Sequence, residues 1–501
     1  MKIVPITNIP KNILIKSTLF LVKLNLFIFY YFNFMLYKRF SSHLIRSPNF
    51  LLIKSFYHPK YFFNLITIKL EFLMTMEQKI RNRWIIVIGA ILIQLALGTI
   101  YSWGTLTIFV SPYLNEIREA TVYVFGVGLL SFAITMIFAG QLQQKYGPKK
   151  IAILGGILIA IGVISSAFMT SFIGLLITYG IIFGAGIGFG YVCPIAAAGK
   201  WFPDKKGLIN GLAVAGFGAG SFIFNYVIKA IANPTNLDVD DPGFLAAISP
   251  NIPWVFIIIG IIYTILVIGG AFLLSNPPEG WTPAGWTPPP PSEESGISGL
   301  EFERKQTVKL PQFWMLWLAF ILSAISGLMV IGSYAAFAKT QDLAENFIYT
   351  IGTADFVTIG SLAALFNGLG RIVWGKLADV ITYKRSMLLM FLTQAALMFF
   401  YFTTNVNAVY FAILTCAIYF CFGGNFSLFP TATADLFGSK NLGPNYGIVF
   451  TAYGVAGFIG AVGVNLFVAL FGSYLVLFIV MGVMSIASAV LIYLTKPPKR
   501  Q

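Results

Sequence analysis

Gly140-Gln-Leu-Gln-Gln-Lys-Tyr-Gly147-Pro-Lys149-Lys150 aligns without a gap on Gly375-Lys-Leu-Ala-Asp379-Val-Ile-Thr-Tyr-Lys384-Arg385, and Phe202 falls on Phe437 at the same offset of 235 residues. Each copy sits in a short basic loop after the second apolar stretch of its half of the chain. The repeat implies a duplicated helical bundle. Two such bundles facing each other across a polar midplane are how membrane carriers open one site to the two sides in turn.

Composition supports a lipid setting. The chain is 57% hydrophobic and 10% charged, with 48 Gly and 48 Phe in 501 residues, too little polar side chain to solvate a globule of that length. The net charge of +15 does not point to nucleic acid, because residues 1–75 hold ten Lys/Arg against one Glu and account for +9 of it. His43 and His58 both lie in that leading segment, so no imidazole is available from Met76 onward for a metal site, a triad or a proton relay. Cys193, Cys416 and Cys421 sit in apolar runs and form neither a metal-ligand nor a disulfide pattern.

From Arg83 the chain offers twelve apolar stretches long enough to cross a hydrocarbon core. They run over 84–109, 121–142, 150–169, 172–197, 207–232, 253–275, 312–337, 356–377, 385–403, 407–430, 444–471 and 473–494. The expected fold is all-α and integral to the membrane: twelve transmembrane helices in two pseudo-symmetric six-helix bundles, 83–275 and 312–495, joined by a cytoplasmic Pro-rich linker, 276–311, and followed by a basic tail, 496–501. Residues 1–82 read as an N-terminal extension, with the functional chain starting at Met74 or Met76; the alternative is an extra anchoring helix. The linker's Pro-Pro-Glu-Gly-Trp and Pro288 to Pro291 exclude helix. It is expected to act as a passive spacer, with docking of a cytoplasmic partner as the alternative. Nineteen Lys/Arg fall in one set of alternate loops and three, Arg118, Lys229 and Lys339, in the other. The positive-inside bias therefore puts both ends of the helical core in the cytoplasm.

The residues over 83–495 resemble the oxalate/formate antiporter family of the major facilitator superfamily. The likeness rests on Asn82 to Gln94 with Gly98-Thr-Ile-Tyr101-Ser-Trp103, on Gly188-Phe-Gly-Tyr191, on Lys200-Trp-Phe-Pro-Asp-Lys-Lys-Gly207 with Gly211 to Gly220, and on Asn445 to Gly454. It implies the major facilitator fold, small carboxylate substrates and a gating role for the repeated loop motif, here Gly140, Gly147, Lys149, Lys150, Gly375, Asp379, Lys384 and Arg385. Asp379 holds the motif's acidic position in the second copy and Gln144 holds it in the first. An ionic latch on the first copy must therefore be weaker or take another partner. The basic residues also satisfy the positive-inside bias without any gating role. Gly207, Gly211, Ala215 and Ala219, and Gly457 and Ala461 one and two turns after Tyr453, put small residues at the spacing that lets helices approach closely, either to rock or simply to pack.

Arg371 is the cation that stands out within the apolar spans, in Asn367-Gly-Leu-Gly-Arg371. A guanidinium at such depth costs about 2.5–3.5 kcal/mol on insertion scales, so it should face a cavity and an anion, or else snorkel to the interface. Its planar fork suits a carboxylate. Gln94 and Tyr101 share one face of the first span by their seven-residue spacing, and Tyr191, Asn225, Tyr334 and Tyr453 are further candidate ligands, each also explicable as packing. The resemblance makes the eighth-span arginine a substrate ligand and puts Asn367 beside it.

The chain departs from the resemblance twice. Carriers of dianionic oxalate pair the arginine with a lysine on the eleventh span, whereas 444–471 has no Lys or Arg and Tyr453 lies near the matching place. Proton-coupled monocarboxylate porters have an aspartate one turn before the arginine, where this chain has Asn367; Asp355 and Asp435 lie nearer helix ends. The expectation is a secondary carrier of monocarboxylates such as formate, lactate or pyruvate, working by alternating access, as exchange or facilitated transport. The alternatives are proton symport or a nontransporting sensor on the same fold. No paired carboxylates, metal cluster or activated nucleophile point to an enzyme. The expected setting is the plasma membrane, as a monomer, without cofactor, metal or nucleic acid.

Overall fold

A computed structural model of the chain describes residues 82–340 and 356–499, apart from 117, 238, 240, 279, 289, 292–295, 407 and 472. The expectations for residues 1–81 and for Asp355 lie outside the described residues.

The helices are α1 (Trp84–Tyr113), α2 (Arg118–Tyr146), α3 (Pro148–Ser166), α4 (Phe172–Trp201), α5 (Lys206–Ala232), α6 (Phe244–Leu273), α7 (Pro311–Thr340), α8 (Phe356–Ile381), α9 (Tyr383–Tyr401), α10 (Ala408–Phe437), α11, in two pieces at Leu442–Val449 and Thr451–Phe471, and α12 (Tyr474–Leu494). Among the described residues, ten helices are long and apolar enough to cross a membrane; α8 and α11 occupy the other two expected stretches. Their outer faces are greasy. On α12, Ile479, Val483, Ile486, Val490 and Tyr493 point outward, while Ser485 and Ser488 are buried, the reverse of a water-soluble helix.

Several helices are irregular. A 3₁₀ turn over Gly98–Ser102 interrupts α1, where Gly98 rests on the Phe217 backbone of α5. A π segment over Leu176–Phe183 widens α4. Pro194 and Pro430 sit inside α4 and α10, and α10 runs on to Phe437, past the expected end at 430. The hydroxyls of Ser427, Thr431 and Thr433 bond back to the carbonyls of Gly424, Ser427 and Phe429.

Helices of the two halves meet along two crossings, α5 on α8 and α2 on α11. Gly207 and Gly211 lie against the backbone of Gly375 and Arg371, and Gly447 lies against the Met136 carbonyl, with no room for a Cβ at any of these positions. Small residues at four-residue spacing on α5 thus bring two backbones into contact.

The repeat extends to a single backbone conformation. Gly147 before α3 has φ 88° and ψ 156°, and its counterpart Thr382 before α9 has φ 82° and ψ 153°. A branched residue in that region is strained by about 1–3 kcal/mol, partly offset because Thr382 Oγ1 accepts the Arg385 N–H at 3.4 Å. Thr382→Gly is expected to raise, and Gly147→Val to lower, unfolding stability by about 1–2 kcal/mol each. Apparent melting temperatures in detergent check this; shifts of the same sign would refute the strain assignment.

Candidate functional site

Gly368 packs on Ala215 and Ala219 of α5, and Gly370 packs on the Phe420 backbone of α10, so α8 is wedged between two helices at the level of Arg371. That wedging turns the arginine into protein instead of lipid. Its side chain is 0% exposed. Nε donates to Asn367 Oδ1 at 3.0 Å and Nη1 donates to the Val214 carbonyl at 3.1 Å, while Nη2 is buried with no hydrogen-bond partner. The guanidinium carbon stands 4.1 Å from the Phe426 ring centre and 5.2 Å from that of Phe217. Among the described residues no carboxylate forms an ion pair with it. Aromatic faces and neutral oxygens offset only part of the several kcal/mol that burying a charge costs.

Hydroxyls gather around this cation. Tyr101 of α1 and Tyr453 of α11 share a 2.5 Å hydrogen bond that joins helices from the two halves. Tyr191 of α4 packs edge-on against Phe217 at 5.3 Å, and its buried hydroxyl lies close to that of Tyr446. All four tyrosines are within electrostatic reach of Arg371. Gln94 donates to the Tyr191 carbonyl at 3.3 Å and leaves its own Oε1 unpartnered. One cation, several hydroxyls and walls of phenylalanine suit a small anion with an apolar remainder.

At the end of the molecule that carries the basic loops, the halves are tied together. Lys206 at the start of α5 pairs with Asp435 of α10 at 2.9 Å, both largely buried. Asp379 of α8 accepts the N–H groups of Gly207 and Leu208, each at 2.8 Å, so a carboxylate caps α5 from the opposite half. Its counterpart Gln144 makes only a neutral 2.8 Å contact to Asn441. Gly140 abuts the Gly443 backbone of α11, as Gly375 abuts Gly207. Of the basic motif residues, Lys149 lies 4.3 Å from the Phe272 ring, Lys384 donates to the Thr495 carbonyl at 2.8 Å, and Lys150 and Arg385 are exposed.

Residues 95–461 of this chain, and separately 327–501, match the Major Facilitator Superfamily. The chain belongs to that superfamily. With ten membrane-length apolar helices among the described residues, it is a multi-pass integral membrane protein. It is 29% identical over 389 residues to an uncharacterised transporter of the superfamily, YhjX of Escherichia coli, covering 76% of this chain and 87% of the relative. Apicoplast pyruvate carrier 1 of Toxoplasma gondii is 28% identical over 451 residues, covering 74% and 81%, and the oxalate:formate antiporter of Oxalobacter formigenes is 28% identical over 384 residues, covering 76% and 83%. Among solved structures, the E. coli fucose:proton symporter in its outward conformation shares the fold with a TM-score of 0.55 at 15% identity, covering 81% of this chain and 97% of the symporter.

Arg371, Asn367, Gln94, Tyr101, Tyr191 and Tyr453 thus lie together. Tyr334 and Asn225 lie elsewhere: Tyr334 rests on Gly360, and Asn225 Nδ2 is 3.4 Å from Ser361 Oγ. Those α8 positions precede Arg371 by eleven and ten residues, about 15 Å along the helix. Phe217, Phe426 and Tyr446 were missed. Tyr446, Phe450 and Tyr453 did carry a signal, an aromatic stripe at helical spacing, but nothing separates Phe217 and Phe426 from the chain's other phenylalanines. For the Lys206–Asp435 pair, Lys206→Asp is expected to increase cysteine accessibility at the basic end and the swap Lys206→Asp with Asp435→Lys to reverse it; no recovery in the double variant would show that the pair carries no gating energy.

Proposed function

We propose that the protein is a secondary carrier of small monocarboxylates such as formate, lactate or pyruvate, working by alternating access with Arg371 as the carboxylate ligand. The buried Nη2 of Arg371, which makes no hydrogen bond and has no carboxylate paired to its guanidinium among the described residues, carries this reading. A carboxylate supplies the missing acceptor and the missing negative charge together. The names of the relatives, a pyruvate carrier and an oxalate:formate antiporter, agree with it.

The charge count favours one carboxylate. Arg371 neutralises the first, and a second would enter a shell of hydroxyls and phenyl rings with no cation, at a cost of several kcal/mol. Asn367, neutral and already bonded to Arg371 Nε, leaves no proton-accepting acid at that turn, which favours exchange or facilitated movement over proton symport. In this reading the halves 83–275 and 312–495, joined by the linker 276–311, rock about the α5–α8 and α2–α11 crossings. The basic loops face the cytoplasm of the plasma membrane.

Counterflow in proteoliposomes with labelled formate, lactate, pyruvate and oxalate tests this. Monocarboxylates are expected to exchange and oxalate not to compete. Arg371→Ala should abolish exchange, and Arg371→Lys should lower it roughly tenfold or more, because an ammonium cannot reproduce the fork. Preferred exchange of oxalate, or full exchange by Arg371→Ala, would overturn the assignment.

A further inference from the structure

The first loop motif lacks its acid, and the turn leading into α11, the helix it adjoins, nevertheless receives a carboxylate from elsewhere. Glu301 of the linker accepts the Ser439 N–H at 3.1 Å and the Lys440 N–H at 3.0 Å, just before α11 begins. Gly438 holds φ 93°, and a Cβ there would overlap the Glu301 carboxylate, so the chain keeps that space open. Asp379 binds two N–H groups in the first turn of α5, and Glu301 binds two in the turn that leads into α11.

Glu301 belongs to a longer strap. The Phe302 N–H donates to the Phe437 carbonyl at 2.9 Å, and the Phe302 carbonyl accepts from Asn441 and Asn445 at 3.0 and 2.9 Å. The Ser298 N–H donates to the Asp435 carbonyl at 3.0 Å. These contacts bind the strap to α10 and α11. Arg304 then reaches α2: with the Gln141 amide turned to satisfy both partners, its oxygen lies 2.8–3.1 Å from the three guanidinium nitrogens, in the very motif copy that lacks the acid.

We infer that residues 296–307 are a gating strap that holds the basic end closed, with Glu301 standing in for the acid replaced by Gln144 and Arg304 joining the strap to α2. The linker is then a conformational element of the carrier and not only a spacer. Release of the strap frees α11 from α2 and favours the state open at the basic end.

The inference rests on the alternating-access reading, but its test needs no substrate, so failure at Arg371 and failure of the strap are distinguishable. Spin labels at Lys150→Cys and Lys376→Cys, both exposed positions in opposite halves, report the separation of the basic ends by electron–electron resonance in the full-length protein with Cys193, Cys416 and Cys421 replaced by alanine. Glu301→Ala is expected to raise the long-distance population roughly tenfold, the scale of one lost charge-assisted hydrogen bond. Gln144→Asp in the same molecule should restore the short distance by returning the acid to the motif. Glu301→Gln, which keeps one acceptor, should give a smaller shift in the same direction and serves where the alanine variant folds poorly. An unchanged distribution in both Glu301 variants, or a shift that Gln144→Asp leaves in place, overturns the assignment.

Discussion

A guanidinium buried among phenyl rings with one nitrogen unused is the constraint around which this molecule is arranged. Such a group is stable only if the surrounding structure over-determines its position. Here α8 does so, because Gly368 and Gly370 let it press against α5 and α10 while Arg371 and Asn367 bond to each other. The residual need of Nη2 for an acceptor is what makes the centre receptive to an anion.

Other glycines serve the basic end. Backbone contact at Gly207 with Gly375 and at Gly140 with Gly443 brings helix ends of opposite halves within reach of short polar side chains. Asp379 exploits this directly, a carboxylate on two free N–H groups at a helix start. The duplication is therefore symmetric in backbone and asymmetric in chemistry. Thr382 keeps the left-handed conformation of Gly147 at some strain, whereas Gln144 gives up the charge of Asp379 and the linker carries a carboxylate to the turn before α11.

Helix positions were legible because lipid imposes a simple rule: about twenty apolar residues per crossing, with polar loops between. At the end of α10 the expected boundary, 430, falls short, because inside a membrane bundle a helix can continue through a proline such as Pro430. Arg371, Asn367 and the face of α1 with Gln94 and Tyr101 were legible for the same reason, since a polar group in a greasy helix needs a partner. Tyr334 and Asn225 met that rule too, yet they belong to another level of α7, α5 and α8, because a polar residue declares that it faces inward and not how far along the axis it lies.

The sequence by itself determined the repeat, the membrane setting, the small-residue stripes and the single deep cation, all properties of periodicity and composition along one chain. Only the tertiary structure decided which aromatic rings close on Arg371, that Tyr101 meets Tyr453 across the halves, and that Glu301 reaches the turn before α11. Those contacts join separate segments of the chain, from 55 positions apart for Arg371 and Phe426 to 352 for Tyr101 and Tyr453, and side-chain type along the chain does not encode which helix will stand opposite.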